Sequence, residues 1–154
     1  MIRVKIIGIG NEDRHDDGLG MVIVRKLKDR VQQDVKIIEA RLEAAELLDS
    51  WEDAEKVILI DAVNGLEKVG KIYRFLANKE PFPSEFSNYS THTLSLNQVI
   101  ELARNLNELP PELIIYGIQG KNFKVGRGLS NELNGNIKDV ISLILEEAQK
   151  IKQE

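Results

Sequence analysis

A chain of 154 residues with 42% hydrophobic content is enough for one well-buried domain and too short for two ordinary ones. The formal charge of −4, with basic residues scattered among acids, excludes a broad surface for phosphate backbones, so no nucleic-acid partner is expected. Without cysteine there are no disulfides, zinc-thiolate sites or thiol nucleophiles, and only oxygen and imidazole remain to hold a metal.

The chain opens directly into an apolar run, and no such run reaches bilayer length. The expectation is one domain over residues 1–154, soluble, cytoplasmic and without membrane contact. Val4, Ile6, Ile7 and Ile9 read as a buried strand, and Leu19, Val22, Ile23, Leu27 and Val31 recur at helical spacing. Between them lies Gly8-Ile9-Gly10-Asn11-Glu12-Asp13-Arg14-His15-Asp16-Asp17-Gly18-Leu19-Gly20, a strand-to-helix loop crowded with ionisable groups. It fails as a dinucleotide fingerprint, because Asp13 stands at the third glycine position and acids would repel a pyrophosphate. Such a loop suits a cation, or a partner carrying one.

Val35 to Ile38 reads as a second strand, followed by a brief helix with Ala44, Ala45, Leu47, Leu48 and Trp51. Lys56 to Ile60 reads as a third, buried strand that stops at Asp61. Too few residues separate it from Ile72–Leu76 for a crossover helix, so this fourth strand should run antiparallel at an edge. A long loop over 77–93 follows, then a capping box, Ser95-Leu96-Asn97-Gln98, opening a helix with Leu96, Val99, Ile100, Ala103 and Leu106 on one face. Leu113 to Ile118 is a fifth strand, and Leu133 to Ile151 a long final helix, with Glu146-Glu147 and Lys150 to Glu154 on a solvated face. The expected architecture is a three-layer α/β/α sandwich around a mainly parallel five-stranded sheet with one antiparallel edge strand.

Polar groups stand where strands end or helices begin: Asp16-Asp17, Asp61 and His92. In a doubly wound sheet these loops share one rim. Two carboxylates and an imidazole suit a divalent transition metal and leave coordination positions open. Each residue also has a structural reading. Asp16 is better explained as a cap on the first helix, Asp61 can serve a turn, and His92 can mark a helix entry. His15 is expected to be exposed, with no role beyond rim contact, and Trp51 to be a partly buried core anchor.

The chain resembles the hydrogenase maturation endopeptidases, which trim the C-terminal extension from the large subunit of nickel-iron hydrogenases. The resemblance runs through Gly8-Ile9-Gly10-Asn11, Asp16-Asp17-Gly18-Leu19-Gly20, Ile60-Asp61-Ala62-Val63, Ser90-Thr91-His92-Thr93-Leu94, Tyr116-Gly117-Ile118-Gln119-Gly120 and Gly128-Leu129-Ser130. It implies an aspartyl-type endopeptidase whose partner is the large-subunit precursor, with Asp17, Asp61 and His92 contacting nickel. That nickel is brought by the substrate as a recognition anchor and binds the isolated protein only weakly. The chain departs from the pattern where the family commonly carries Asp-Gly-Gly-Thr: here it has Glu39-Ala40-Arg41-Leu42. Glu39 can take the place of the acid, and it joins Asp17, Asp61 and His92 as a candidate catalytic residue. The departure also motivates a second reading, a maturation adaptor that binds the metallated subunit without cutting it. A nucleotide-binding α/β enzyme is a third, resting on fold alone.

Overall fold

The structure is a computed structural model that describes residues 1–41, 43–64, 68–81 and 95–150. Its strands are β1 (Val4–Ile9), β2 (Val35–Ala40), β3 (Lys56–Val63), β4 (Ile72–Leu76) and β5 (Glu112–Gln119). The helices among the described residues are α1 (Leu19–Leu27), α2 (Ala44–Ser50), α3 (Leu96–Asn105) and α4 (Asn131–Gln149), with a 3-10 turn, His15–Gly18, leading into α1. The strands lie side by side as β2-β1-β3-β5-β4, all parallel except β4, which runs antiparallel to β5 at the edge.

Alternation along the strands builds two cores. In β3, Ile58, Ile60 and Ala62 face α1 and α4, where they meet Leu19, Ile23, Leu27, Leu133, Ile137 and Ile144. Val57, Leu59 and Val63 face the other way, onto Leu47 and Trp51 around α2 and Val99, Ile100 and Ala103 of α3. The expected α/β/α layering and the antiparallel edge strand therefore hold. So does the capping box, in which Ser95 Oγ accepts from the Gln98 N–H and Gln98 Oε1 from the Ser95 N–H.

Several expectations are corrected. β3 does not stop at Asp61 but runs on to Val63, with Asp61 paired opposite Gly117 of β5, because β5 continues far enough to satisfy its backbone. β2 likewise extends to Ala40 alongside Ile9. Trp51 is buried outright, and its indole N–H donates to the Glu108 carbonyl at 3.1 Å. Glu147 faces inward, since α4 turns it onto Lys56, Arg74 and Tyr116. The loop over 77–93 falls mostly outside the described residues.

The chain leaves β1 for β2 on one side of the sheet and returns to β3 on the other. The order thus reverses between β1 and β3, and the carboxyl ends of these two strands frame a crevice of the kind in which open α/β sheets place their sites. The loop after β1 and Asp61 of β3 both lie there.

Candidate active site

The loop after β1 is folded tightly enough to need its glycines. A Cβ on Gly20 would stand 2.5 Å from the carbonyl oxygens of both Ile9 and Ile60, so only glycine lets α1 seat against β1 and β3. This is the close helix-strand approach that the third glycine of a dinucleotide fingerprint provides, supplied here after the acidic insertion instead of within it. Gly10, at φ 149°, lies against the Asp17 carbonyl, where a side chain would collide. The Asn11 N–H closes the loop by donating to both the Asp17 carbonyl at 3.2 Å and Asp17 Oδ2 at 3.1 Å.

Asp17, held in this loop, is near enough to Asp61 for its charge to act on the Asp61 carboxyl. Asp61 Oδ1 is shielded from solvent and has no hydrogen-bond partner among the described residues. Burial is the main cause that holds the Asp61 carboxyl well above the usual carboxylate range, and the negative charge of Asp17 adds to it. The Ala62 N–H opposes both and is outweighed. A buried carboxyl with a second acid acting on it carries an electrostatic cost, and such a position favours a positively charged visitor.

Asp16 does not cap α1, whose start has no side-chain cap. It is fully buried, and its carboxylate reaches across to the segment after β5: Oδ2 accepts from the N–H groups of Lys121 at 2.7 Å and Asn122 at 2.9 Å, and Oδ1 from Ser130 at 2.7 Å. His15 is half-buried, not exposed. Its Nδ1 lies 3.0 Å from the Gly128 carbonyl, and its ring fills the space a side chain on Gly126 would need. The only sequence signal for Asp16 was a second acid beside the one the site uses.

Glu39 is not brought to the pair. In register it stands beside Gly8, which stands beside Ile60, so it shares the α1 face of the sheet while Asp61 alternates to the other. Arg25 of α1 holds it at 2.6 Å and Lys28 at 3.3 Å, and the same Arg25 grips Glu12 at 2.6 and 2.7 Å. The hydrogen bond from Arg25 keeps the Glu39 carboxyl below the ordinary range. Arg41 is exposed and does not figure among the groups acting on Asp61. His92 and Leu42 lie outside the described residues. Among the described residues no three His, Asp or Glu side chains gather as a metal site.

Fold and site together define an α/β protein with an acidic pair at the topological switch point. The family model of hydrogenase maturation proteases matches residues 21–147, and the chain belongs to that family of peptidases. It is 25% identical over 147 residues to the hydrogenase 2 maturation protease of Escherichia coli K12, a match covering 94% of this chain and 89% of that one. In fold it is similar to the hydrogenase maturating endopeptidase HybD of Escherichia coli, with a TM-score of 0.80, 23% identity, and 95% and 91% of the two chains covered. The hydrogenase maturation protease HycI of Thermococcus kodakarensis is similar too, with a TM-score of 0.72, 22% identity, and 96% and 93% covered. No helix among the described residues is long and apolar enough to cross a membrane.

Proposed function

We propose that this peptidase removes the C-terminal extension of a nickel-iron hydrogenase large-subunit precursor, and that it finds the scissile bond through the nickel the precursor carries. Asp17, Asp61 and His92 are the proposed contacts to that ion. The observation that carries the reading is the Asp61 carboxylate, whose Oδ1 lacks a partner among the described residues and whose neighbour is a second acid. A divalent ion delivered by the substrate neutralises both charges at once, so binding energy is available only when the precursor is metallated.

Oxygen and imidazole donors without a thiolate make an open, moderate site, which fits an ion that arrives and leaves with the substrate. A histidine must be neutral to contribute, so the interaction should weaken as acid protonates His92. Glu39, tied to Arg25 and Lys28, enters the proposal as a brace for the end of β2, with no place in the chemistry.

The test is mass measurement of nickel-loaded and nickel-free precursor after incubation with the protein. Loss of one discrete C-terminal peptide from the nickel-loaded form alone is expected, and His92→Ala should abolish most of that preference while leaving the fold intact. Cleavage indifferent to nickel would overturn the anchoring role. Nickel-dependent binding without cleavage would establish the adaptor reading, which the Glu39-to-Leu42 departure keeps in view.

A further inference from the structure

We infer that Asp16 is the positioning residue of this site. It is a buried latch that ties the segment after β5 to the turn presenting Asp17, and so sets where Asp17 stands relative to Asp61. The inference rests on three hydrogen bonds that the backbone N–H groups of Lys121, Asn122 and Ser130 donate to one fully buried carboxylate, all between 2.7 and 2.9 Å. Charge-assisted bonds of this length are the strong ones, and backbone donors fix position more firmly than a flexible side chain would.

The latch is not isolated. The His15 N–H donates to the Gly126 carbonyl at 2.8 Å, the Gly126 N–H to the Asp13 carbonyl at 2.9 Å, and the Asp16 N–H to the Asn122 carbonyl at 2.9 Å. Two loops are thereby sewn into one rigid wall, with Asp16 at its buried seam and Asp17 as the next residue along the chain. Asp17 is held in the same turn by the Asn11 N–H and by the bond from its own N–H to the Arg14 carbonyl at 3.1 Å. If the seam opens, the turn His15–Gly18 loses its tie to the segment after β5. Ser130 also precedes α4, so the same carboxylate registers the start of that helix against the site.

Asp16→Asn tests this, because an amide can accept on one side only and would confront at least one N–H with an N–H. The nickel-dependent arm rests on the anchoring reading above. Affinity for nickel-loaded precursor should fall about tenfold or more, the scale seen when groups that orient metal contacts are removed, while affinity for nickel-free precursor stays near wild type. Hydrogen exchange supplies an arm independent of nickel. The amides of Lys121, Asn122 and Ser130 should lose protection in the variant, and those of Asn11 and Asp17 should lose it with them.

Equal loss of affinity for both precursor forms would mark Asp16 as structural only and overturn the proposal. So would opening of the 121–130 amides while Asn11 and Asp17 keep wild-type protection. If the wild type shows no preference for nickel, the anchoring reading falls, and the exchange arm alone decides whether Asp16 holds Asp17. Should Asp16→Asn fail to fold, Ser130→Pro probes the same latch from the other loop, since it deletes the N–H that donates to Asp16 Oδ1 at 2.7 Å, and the same outcomes at Asn11 and Asp17 decide.

Discussion

On the α4 face of the sheet the Glu147 carboxylate accepts from Arg74 Nε at 2.6 Å, from the Tyr116 hydroxyl at 2.7 Å and from Lys56 Nζ at 2.8 Å. At the carboxyl end of β3, Asp61 keeps one shielded oxygen without a partner among the described residues and has Asp17 for a neighbour. Burial pushes both carboxyls up. At Glu147 the hydrogen bonds from Arg74, Lys56 and Tyr116 outweigh it and bring the group down to about 2. At Asp61 the second acid pushes in the same direction as burial. One buried carboxylate is provided with cations by its own chain and holds the fold together; the other has an anion for a neighbour and weakens the fold at the proposed site. Stability given up at a site in this way is what a protein tolerates for function.

The largest expected effect comes from breaking the satisfied cluster. Glu147→Ala leaves Lys56 buried with Glu112, at 3.4 Å, as its one charged partner among the described residues, and should cost about 3 kcal/mol or more in denaturant unfolding. A loss below about 1 kcal/mol would show that Glu112 and the carbonyls of Glu147 and Lys150 suffice for Lys56.

The same contrast has a pH signature. Glu147 titrates lower in the folded than in the unfolded protein, so the unfolded chain binds more protons. Its contribution should therefore be lost as pH falls from about 4.5 to about 2. Asp61 titrates higher when folded, so the native state holds the extra proton and stability should decline as pH rises above the ordinary carboxylate value. Thermal unfolding across pH should show the acid slope vanish in Glu147→Ala and the opposite slope flatten in Asp61→Asn.

At neutral pH Asp61→Asn should be more stable than the wild type by about 1 kcal/mol while losing its preference for nickel-loaded precursor. A destabilised variant would mean that Asp61 is paired in solution and that the contrast with Glu147 is false.

The smallest change in stability is expected at the end of β2. Arg41→Gly should stay within about 0.5 kcal/mol of wild type in unfolding, because Arg41 is exposed, yet alter turnover, because it follows Ala40 at the site's edge. Unchanged cleavage with a marked fall in melting temperature would make Arg41 structural.

Much of the fold was legible because periodicity is a local property. Alternating and continuous apolar runs marked all five strands, the short β3–β4 connection forced the antiparallel edge, and Ser95 with Gln98 announced α3. Asp17 and Asp61 were singled out as residues where strands end; Asp61 instead lies within β3, and strand order brings it to the same crevice as the loop that carries Asp17. The failures share one cause. Asp16 looked like a helix cap, His15 like an exposed loop residue and Glu147 like part of a solvated face, because each was judged by its neighbours along the chain.

What the amino-acid sequence determined by itself was the layering, the position of the acidic loop and the family pattern that names the chemistry. Tertiary structure alone decided which acids are satisfied. Asp16 finds its donors more than a hundred positions away, at Lys121, Asn122 and Ser130. Glu147 finds Lys56, Arg74 and Tyr116 on three different strands, Glu39 is claimed by Arg25, and Asp61 meets the charge of Asp17 and the Ala62 N–H. A carboxylate's role depends on the charges and donors within a few ångströms of it, and only the folded chain determines which those are.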